Sequence, residues 1–258
     1  MYIALYHLLT RLDTSSFFQY LLQLSCIFTL SLTTLCATTQ ANAAPKKHTP
    51  SVAEPTLAVL YDQVIDELLR GNIAVFFVPV DTKGTDQTAQ PEWWKDCSLS
   101  RMISERGIDQ ARALNRALVQ LQLDIQFVES SELCSALSTY TFVIGNNRLL
   151  RFFITPSLNP VEVRRMQGIG EQVVEAQVLS HLQTLLPDSV KILFGFPLPT
   201  SVAPHPILSD LAPGESAIFR SGQNIPPVLI ARLNWRQWEE MGNYFVAKRT
   251  KRSSKTTK

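Results

Sequence analysis

Glycine is scarce in this 258-residue chain, with only 10. That leaves little room for glycine-rich loops that cradle phosphates with backbone N–H groups. Histidine is scarcer still, with His7, His48, His181 and His205 the full set, too few for a mechanism that needs several imidazoles. Charge is thin at 18% of residues, and its net value of +2 is an uneven sum. Arg11 and Asp13 cancel within the first 43 residues, and the last 11 carry six cations, so residues 44–247 stand at −4. A body of that sign excludes a domain-wide basic surface for nucleic acid. No G-x-S-x-G, H-E-x-x-H or P-loop pattern occurs. What is present is apolar: 45% of the chain is hydrophobic, with a middle rich in Leu, Val and Ile, which excludes disorder throughout. The length suits one large domain or two small ones with a real core.

Phe17 to Leu35 is an apolar run with few breaks, followed by Ala41-Asn42-Ala43, whose small side chains form an A-x-A cleavage pattern. Residues 1–43 therefore read as a secretory signal and residues 44–55 as a polar, Pro-rich flexible arm. The competing reading is an uncleaved membrane anchor, because the run approaches the ~20 residues a span needs. Export to the periplasm is the expected destination under the first reading. Of the four cysteines, only Cys97 and Cys134 lie beyond the signal. Two cysteines in an exported chain favour a disulfide, and closing that 37-residue loop is worth about 4 kcal/mol in the chain-entropy model. The alternative is two unpaired thiols. Neither has a Cys or His at ligand spacing, so no metal site is expected, and no cofactor is either.

The apolar pattern alternates between helix and strand. Leu57, Leu60, Tyr61, Val64, Ile65, Leu68 and Leu69 repeat at helical spacing, with Gly71 as a stop. Ile73 to Val78 is a continuous apolar run of strand length. Residues 79–100 read as a long loop. Ser104 is placed to cap a helix to about Leu121, Ile125 to Glu129 forms a second strand, and Ser130-Ser131 opens a helix to about Ile144. Residues 146–160 are irregular or weakly extended. A helix follows from about Val161 to Leu186, interrupted near Gly168 and Gly170. Val190 to Phe196 is another strand, 216–220 and 227–233 form a hairpin, and Asn234 caps a short last helix. The domain thus spans 56–247, and the basic tail 248–258 is expected to be disordered. Alternating strands and helices predict an α/β three-layer sandwich, a mostly parallel mixed sheet with helices on both faces. Ligands in such folds sit beyond the carboxyl ends of the strands, here the loops after Val78, Glu129 and Phe196.

The residues at those ends carry a resemblance. The run from Asp96 to Ala113, DCSLSRMISERGIDQARA, is similar to a segment found in exported members of the histidine phosphatase superfamily, the phosphoglycerate-mutase-like fold. Ser130-Ser131-Glu132-Leu133-Cys134-Ser135-Ala136 resembles the family's next segment, and Pro213 to Arg220 its later hairpin. Ala231-Arg232-Leu233 and Trp238 resemble its closing strand and helix, so the likeness extends over nearly all of 57–242.

The resemblance implies phosphoryl transfer to a histidine and then to water, through an Arg-His pair after the first strand, an Arg after the Ser-Ser turn and a His after a later Gly. Such cations hold the equatorial phosphate oxygens. In this chain the four positions hold Val78, Pro79, Ser135 and Phe196. Proline offers no nucleophile, and neither Val nor Phe binds an anion. Up to four positive charges are lost while Asp81 and Glu132 remain, so a phosphate dianion is expected to be repelled. Phe77, Thr82, Ser130, Ser131, Thr139 and Gly195 persist around the gap. The candidate lining of the altered pocket is Asp81, Thr82, Arg101, Ser130 and Glu132. His205, in the Pro-rich loop after Phe196, is the one histidine near the strand ends, and a solvated loop histidine is its simpler reading. Trp93-Trp94 either lines a binding surface or packs its loop onto the domain. Three functions are open: an exported pseudophosphatase acting as a binding or structural module, with no catalytic residue and an unknown ligand; a phosphate-ester hydrolase using non-standard residues; or an envelope protein working through its arm, loop or tail. The tail's cations suit a weak contact with the cell envelope or plain solvation.

Overall fold

A computed structural model describes residues 56–145, 150–183, 187–201, 203, 205–222 and 225–256. The signal at 1–43 and the arm at 44–55 lie outside the described residues. Helix α1 (Leu57–Arg70) precedes strand β1 (Ile73–Phe77), and β2 (Thr82–Lys83) and β3 (Met102–Ile103) follow. Next come α2 (Glu105–Leu121), β4 (Ile125–Ser130), α3 (Cys134–Ile144), β5 (Arg151–Ile154), α4 (Val161–Met166) and α5 (Glu171–Gln183). The chain closes with β6 (Val190–Phe194), β7 (Glu215–Gly222), β8 (Ile225–Asn234) and α6 (Trp235–Thr256).

Six strands make one sheet in the order β5-β4-β6-β1-β7-β8. The first four run parallel, and β7 pairs antiparallel with both β1 and β8. Both faces are covered, as the unbroken apolar run of β1 requires. Ile73, Val75 and Phe77 face α1, α2 and α6 through Leu68, Leu114, Trp238 and Met241. Ala74, Phe76 and Val78 face α5 through Val174, Val178 and Leu182. The expected α/β sandwich with a mostly parallel mixed sheet is therefore the observed architecture.

Two glycines work by geometry. Gly71 ends α1 at φ 78°, with the Asp188 backbone 2.3 Å from where a Cβ would sit. Gly107 opens α2, where a Cβ would meet the Asp81 carbonyl at 2.1 Å. Ser104 caps that helix, its Oγ accepting from Gly107 N at 2.9 Å and donating to Asp81 Oδ2 at 2.6 Å.

Several boundaries differ from expectation. The third helix starts at Cys134, because Ser130 completes β4 and Ser131 Oγ accepts from Leu133 N at 3.2 Å. Residues 151–154 pair with β4 as an edge strand. The interruption expected near Gly168 and Gly170 is present, dividing α4 from α5, with Gly168 at φ 71°. The largest correction is at the end of the chain. The basic segment expected to be disordered from 248 is helical through Thr256. Lys and Arg are good helix formers, and tertiary anchors hold them. Lys248 pairs with Asp62 of α1, and Arg249 Nη1 donates to Gln122 Oε1 at 2.6 Å. Gly242 lets α6 approach Ala117 closely.

Candidate functional site

Parallel strands β4, β6 and β1 end side by side, and the backbone knits their ends together. Ser131 N donates to Phe194 O at 2.8 Å, and Gly195 N donates to Phe77 O at 3.0 Å. Val78 N donates to Glu215 O at 2.9 Å. This topology sets Val78 and Pro79 just past β1, Ser135 in the first turn of α3 and Phe196 two residues past β6. Val78, Pro79 and Ser135 are buried, while Phe196 is partly exposed. None of the four bears a charge. Thr139 is buried beneath them, its Oγ1 donating to Ser135 O at 2.8 Å and accepting from Val80 N at 3.3 Å.

The long loop closes over this end of the sheet. Trp93 and Trp94 form a short 3-10 turn and are 2% and 6% exposed. They pack with Leu133 and Val163, and with the partly buried Leu99 and Phe196. The adjacent tryptophans therefore dock their loop onto the domain. Both indole N–H groups are buried without an acceptor among the described residues. The Cys97–Cys134 disulfide forms, tying the loop to the N-terminus of α3, so the expectation of a bridge rather than two thiols is met.

The other sequence-selected residues scatter. Asp81 turns to the start of α2, its N donating to Gln110 Oε1 at 3.0 Å and its carboxylate held by Ser104. Thr82 pairs with Ile103 in the small β2–β3 ladder. Arg101 does not line the cleft: its Nε and its backbone N donate to Asp86 at 2.8 and 2.7 Å on the exposed side of the loop. Ser130 is fully buried, its Oγ donating to Ser131 O at 2.9 Å. Glu132 Oε1 accepts from Asn159 Nδ2 at 2.7 Å and also from Gln167 Nε2. Asn159 Oδ1 in turn accepts from Ser131 Oγ at 2.6 Å. Asn159 and Gln167 escaped the sequence reading, since nothing local marks an amide that will meet a carboxylate 27 or 35 residues away.

His205 is partly exposed and occupied. Its Nδ1 accepts from Ile207 N at 3.2 Å, and its ring sits edge-on to Phe219 at 5.6 Å. The remaining described histidine, His181, lies elsewhere, against Glu129 and Lys191. Chemically, the strand-end site offers buried apolar surface, neutral hydroxyls and a carboxylate satisfied by amides. No group of metal-ligating side chains occurs among the described residues.

No protein-family model matches the chain, and no curated protein matches it. Among solved structures, the chain is similar to the protein histidine phosphatase SixA complexed with tungstate, at 14% identity over 64% of this chain and 97% of that one, TM-score 0.43. It is similar to a mutant phosphoserine phosphatase of Entamoeba histolytica in complex with phosphoserine, at 13% identity over 64% and 98%, TM-score 0.41. It is similar also to the alpha-ribazole phosphatase of Shigella flexneri, at 15% identity over 57% and 89%, TM-score 0.36.

Proposed function

We propose that this chain is an exported, catalytically inactive relative of the histidine phosphatases that acts as a binding or structural module. The observation that carries the reading is the set Val78, Pro79, Ser135 and Phe196, which stands where the resembling family places its Arg, nucleophilic His, second Arg and second His. Phosphoryl transfer is chiefly electrostatic stabilisation and positioning, and none of these side chains supplies either. The Trp93–Trp94 packing against Phe196 supports a filled rather than an open phosphate pocket. A ligand of this cleft would be neutral or apolar. The disulfide supports an oxidising compartment, the periplasm under the signal reading. The basic segment 248–258 is a further proposed contact with an anionic envelope surface. It acts with reduced charge, since Lys248 is paired with Asp62.

The test is hydrolysis of p-nitrophenyl phosphate across pH, with vanadate and phosphate scored for thermal stabilisation. The expected result is no turnover and no protection by either anion. Turnover that survives Pro79→Ala and disappears with His205→Ala would overturn the proposal in favour of a hydrolase built on non-standard residues.

A further inference from the structure

The loop over the strand ends is bonded chiefly to itself. It covers 84–101 between β2 and β3, whose short antiparallel ladder forms its base. Its hydrogen bonds with described residues all stay inside it. Gln87 N donates to Leu99 O at 2.8 Å, Lys95 N to Glu92 O at 2.9 Å and Leu99 N to Asp96 O at 3.0 Å. Ser100 Oγ donates to Trp93 O at 2.9 Å, and Ser98 N to Asp96 Oδ1 at 2.8 Å. Arg101 is held by Asp86, at the other end of the same loop. Lifting the loop about the β2–β3 base breaks none of these bonds.

Two attachments hold it down. One is apolar, the packing of Trp93 and Trp94 with Leu133 and Val163 and with the partly buried Phe196. That packing is incomplete, because both indole N–H groups are buried without an acceptor among the described residues. A buried donor left unbonded carries its full desolvation penalty, and lifting the loop returns both donors to water. The other attachment is the Cys97–Cys134 bridge, and its two ends differ. Cys97 is exposed, whereas Cys134 is 3% exposed at the first position of α3. Disulfide exchange needs a thiolate to reach one of the two sulfurs. Access therefore directs attack to Cys97 and makes Cys134 the leaving group. Helix α3 has 11 residues and no side-chain cap at its N-terminus, so its first N–H groups and its dipole favour a thiolate at that position.

We propose that Cys97 is a thiol-exchange site and that its bridge is a reducible latch on a lid over the strand ends. One thiolate of a dithiol attacks Cys97 Sγ. The Cys97–Cys134 bond breaks, and its electron pair leaves with Cys134 Sγ, which takes up a proton. The second thiolate of the dithiol then attacks its own partner sulfur and expels Cys97 Sγ, which is protonated in turn. Two electrons pass from the dithiol to the bridge, leaving two protein thiols and the reagent as a disulfide. With the latch open, the two unbonded indole donors favour the lifted loop, and Leu133, Val163 and Phe196 are uncovered. The latch stands on the geometry of the loop and its bridge, whatever the strand ends bind.

The test uses the purified, oxidised protein. The monothiol 2-mercaptoethanol identifies the attacked sulfur: after acid quenching, peptide mapping is expected to find its mixed disulfide on Cys97. Dithiothreitol then reduces the bridge fully while the indole ¹H–¹⁵N resonances of the four tryptophans are followed. Trp93 and Trp94 are assigned with Trp93→Phe and Trp94→Phe. Both resonances are expected to move to the position of water-bonded indoles. Trp238, whose Nε1 donates to Ser216 Oγ at 2.8 Å in the core, is expected to keep its resonance. The double variant Cys97→Ser with Cys134→Ser is expected to match the reduced protein in the absence of reductant. A mixed disulfide on Cys134, unmoved Trp93 and Trp94 resonances on full reduction, or a shift of Trp238 along with them would each overturn the proposal.

Discussion

Glu129 shows how a single buried charge is sustained. Burial by itself would raise its pKa, but hydrogen bonds from His181 and Lys191 outweigh that and hold the carboxyl below its ordinary value of 4.5. A carboxyl depressed in the folded state contributes stability that is complete above the unfolded value and is lost as pH falls through the folded one. Glu129→Gln is accordingly expected to flatten the loss of stability below about pH 4.5, read as unfolding midpoint against pH. Lys191→Met leaves the carboxylate buried without its cation, and urea denaturation is expected to show a loss of about 3–5 kcal/mol. The double variant Glu129→Leu with Lys191→Met is expected to regain most of it, since a packed apolar pair replaces a buried ionic one at little cost. Part of this was legible beforehand. Lys191 interrupts an otherwise apolar run and so must find a partner once buried. Which carboxylate it finds depends on β4 lying beside β6, and no local pattern states that.

At the scale of elements, the start of α2 and the loop before it form one unit. Ser104, the Asp81 carbonyl and Gly107 meet within hydrogen-bond or van der Waals distance, so Gly107→Ala forces a Cβ into the Asp81 backbone. A loss of about 1–3 kcal/mol is expected in chemical denaturation. The loop is held at its other end by Cys97–Cys134 and by the two tryptophans. Reduction is expected to lower stability by about 2–4 kcal/mol and to red-shift tryptophan emission as Trp93 and Trp94 gain solvent. An unchanged emission maximum on full reduction would mean that apolar packing alone holds the loop. Helix α6 marks the limit of pattern reading at this scale. Its last turns lack apolar residues, and they stay helical because Asp62 of α1 and Gln122, the residue after α2, serve as anchors.

For the whole molecule, apolar periodicity was enough for the number and kind of most elements and for an α/β sandwich. Burial on both faces of β1 demands a continuous apolar run, and Ile73 to Val78 is one. That Val78, Pro79, Ser135 and Phe196 carry no charge was equally legible, because charge is a property of residue identity. Tertiary structure decided the rest, for the common reason that sequence spacing says nothing about neighbours distant in the chain. It set the strand order that brings Glu129 to Lys191, turned Arg101 out to Asp86, and gave Asn159 and Gln167 to Glu132. It also carried the basic end of the chain on as helix. The scarcity of glycine and histidine therefore bounded the chemistry from the outset, whereas the pairing of His181 and Lys191 with Glu129 followed only from packing α5 against β4 and β6.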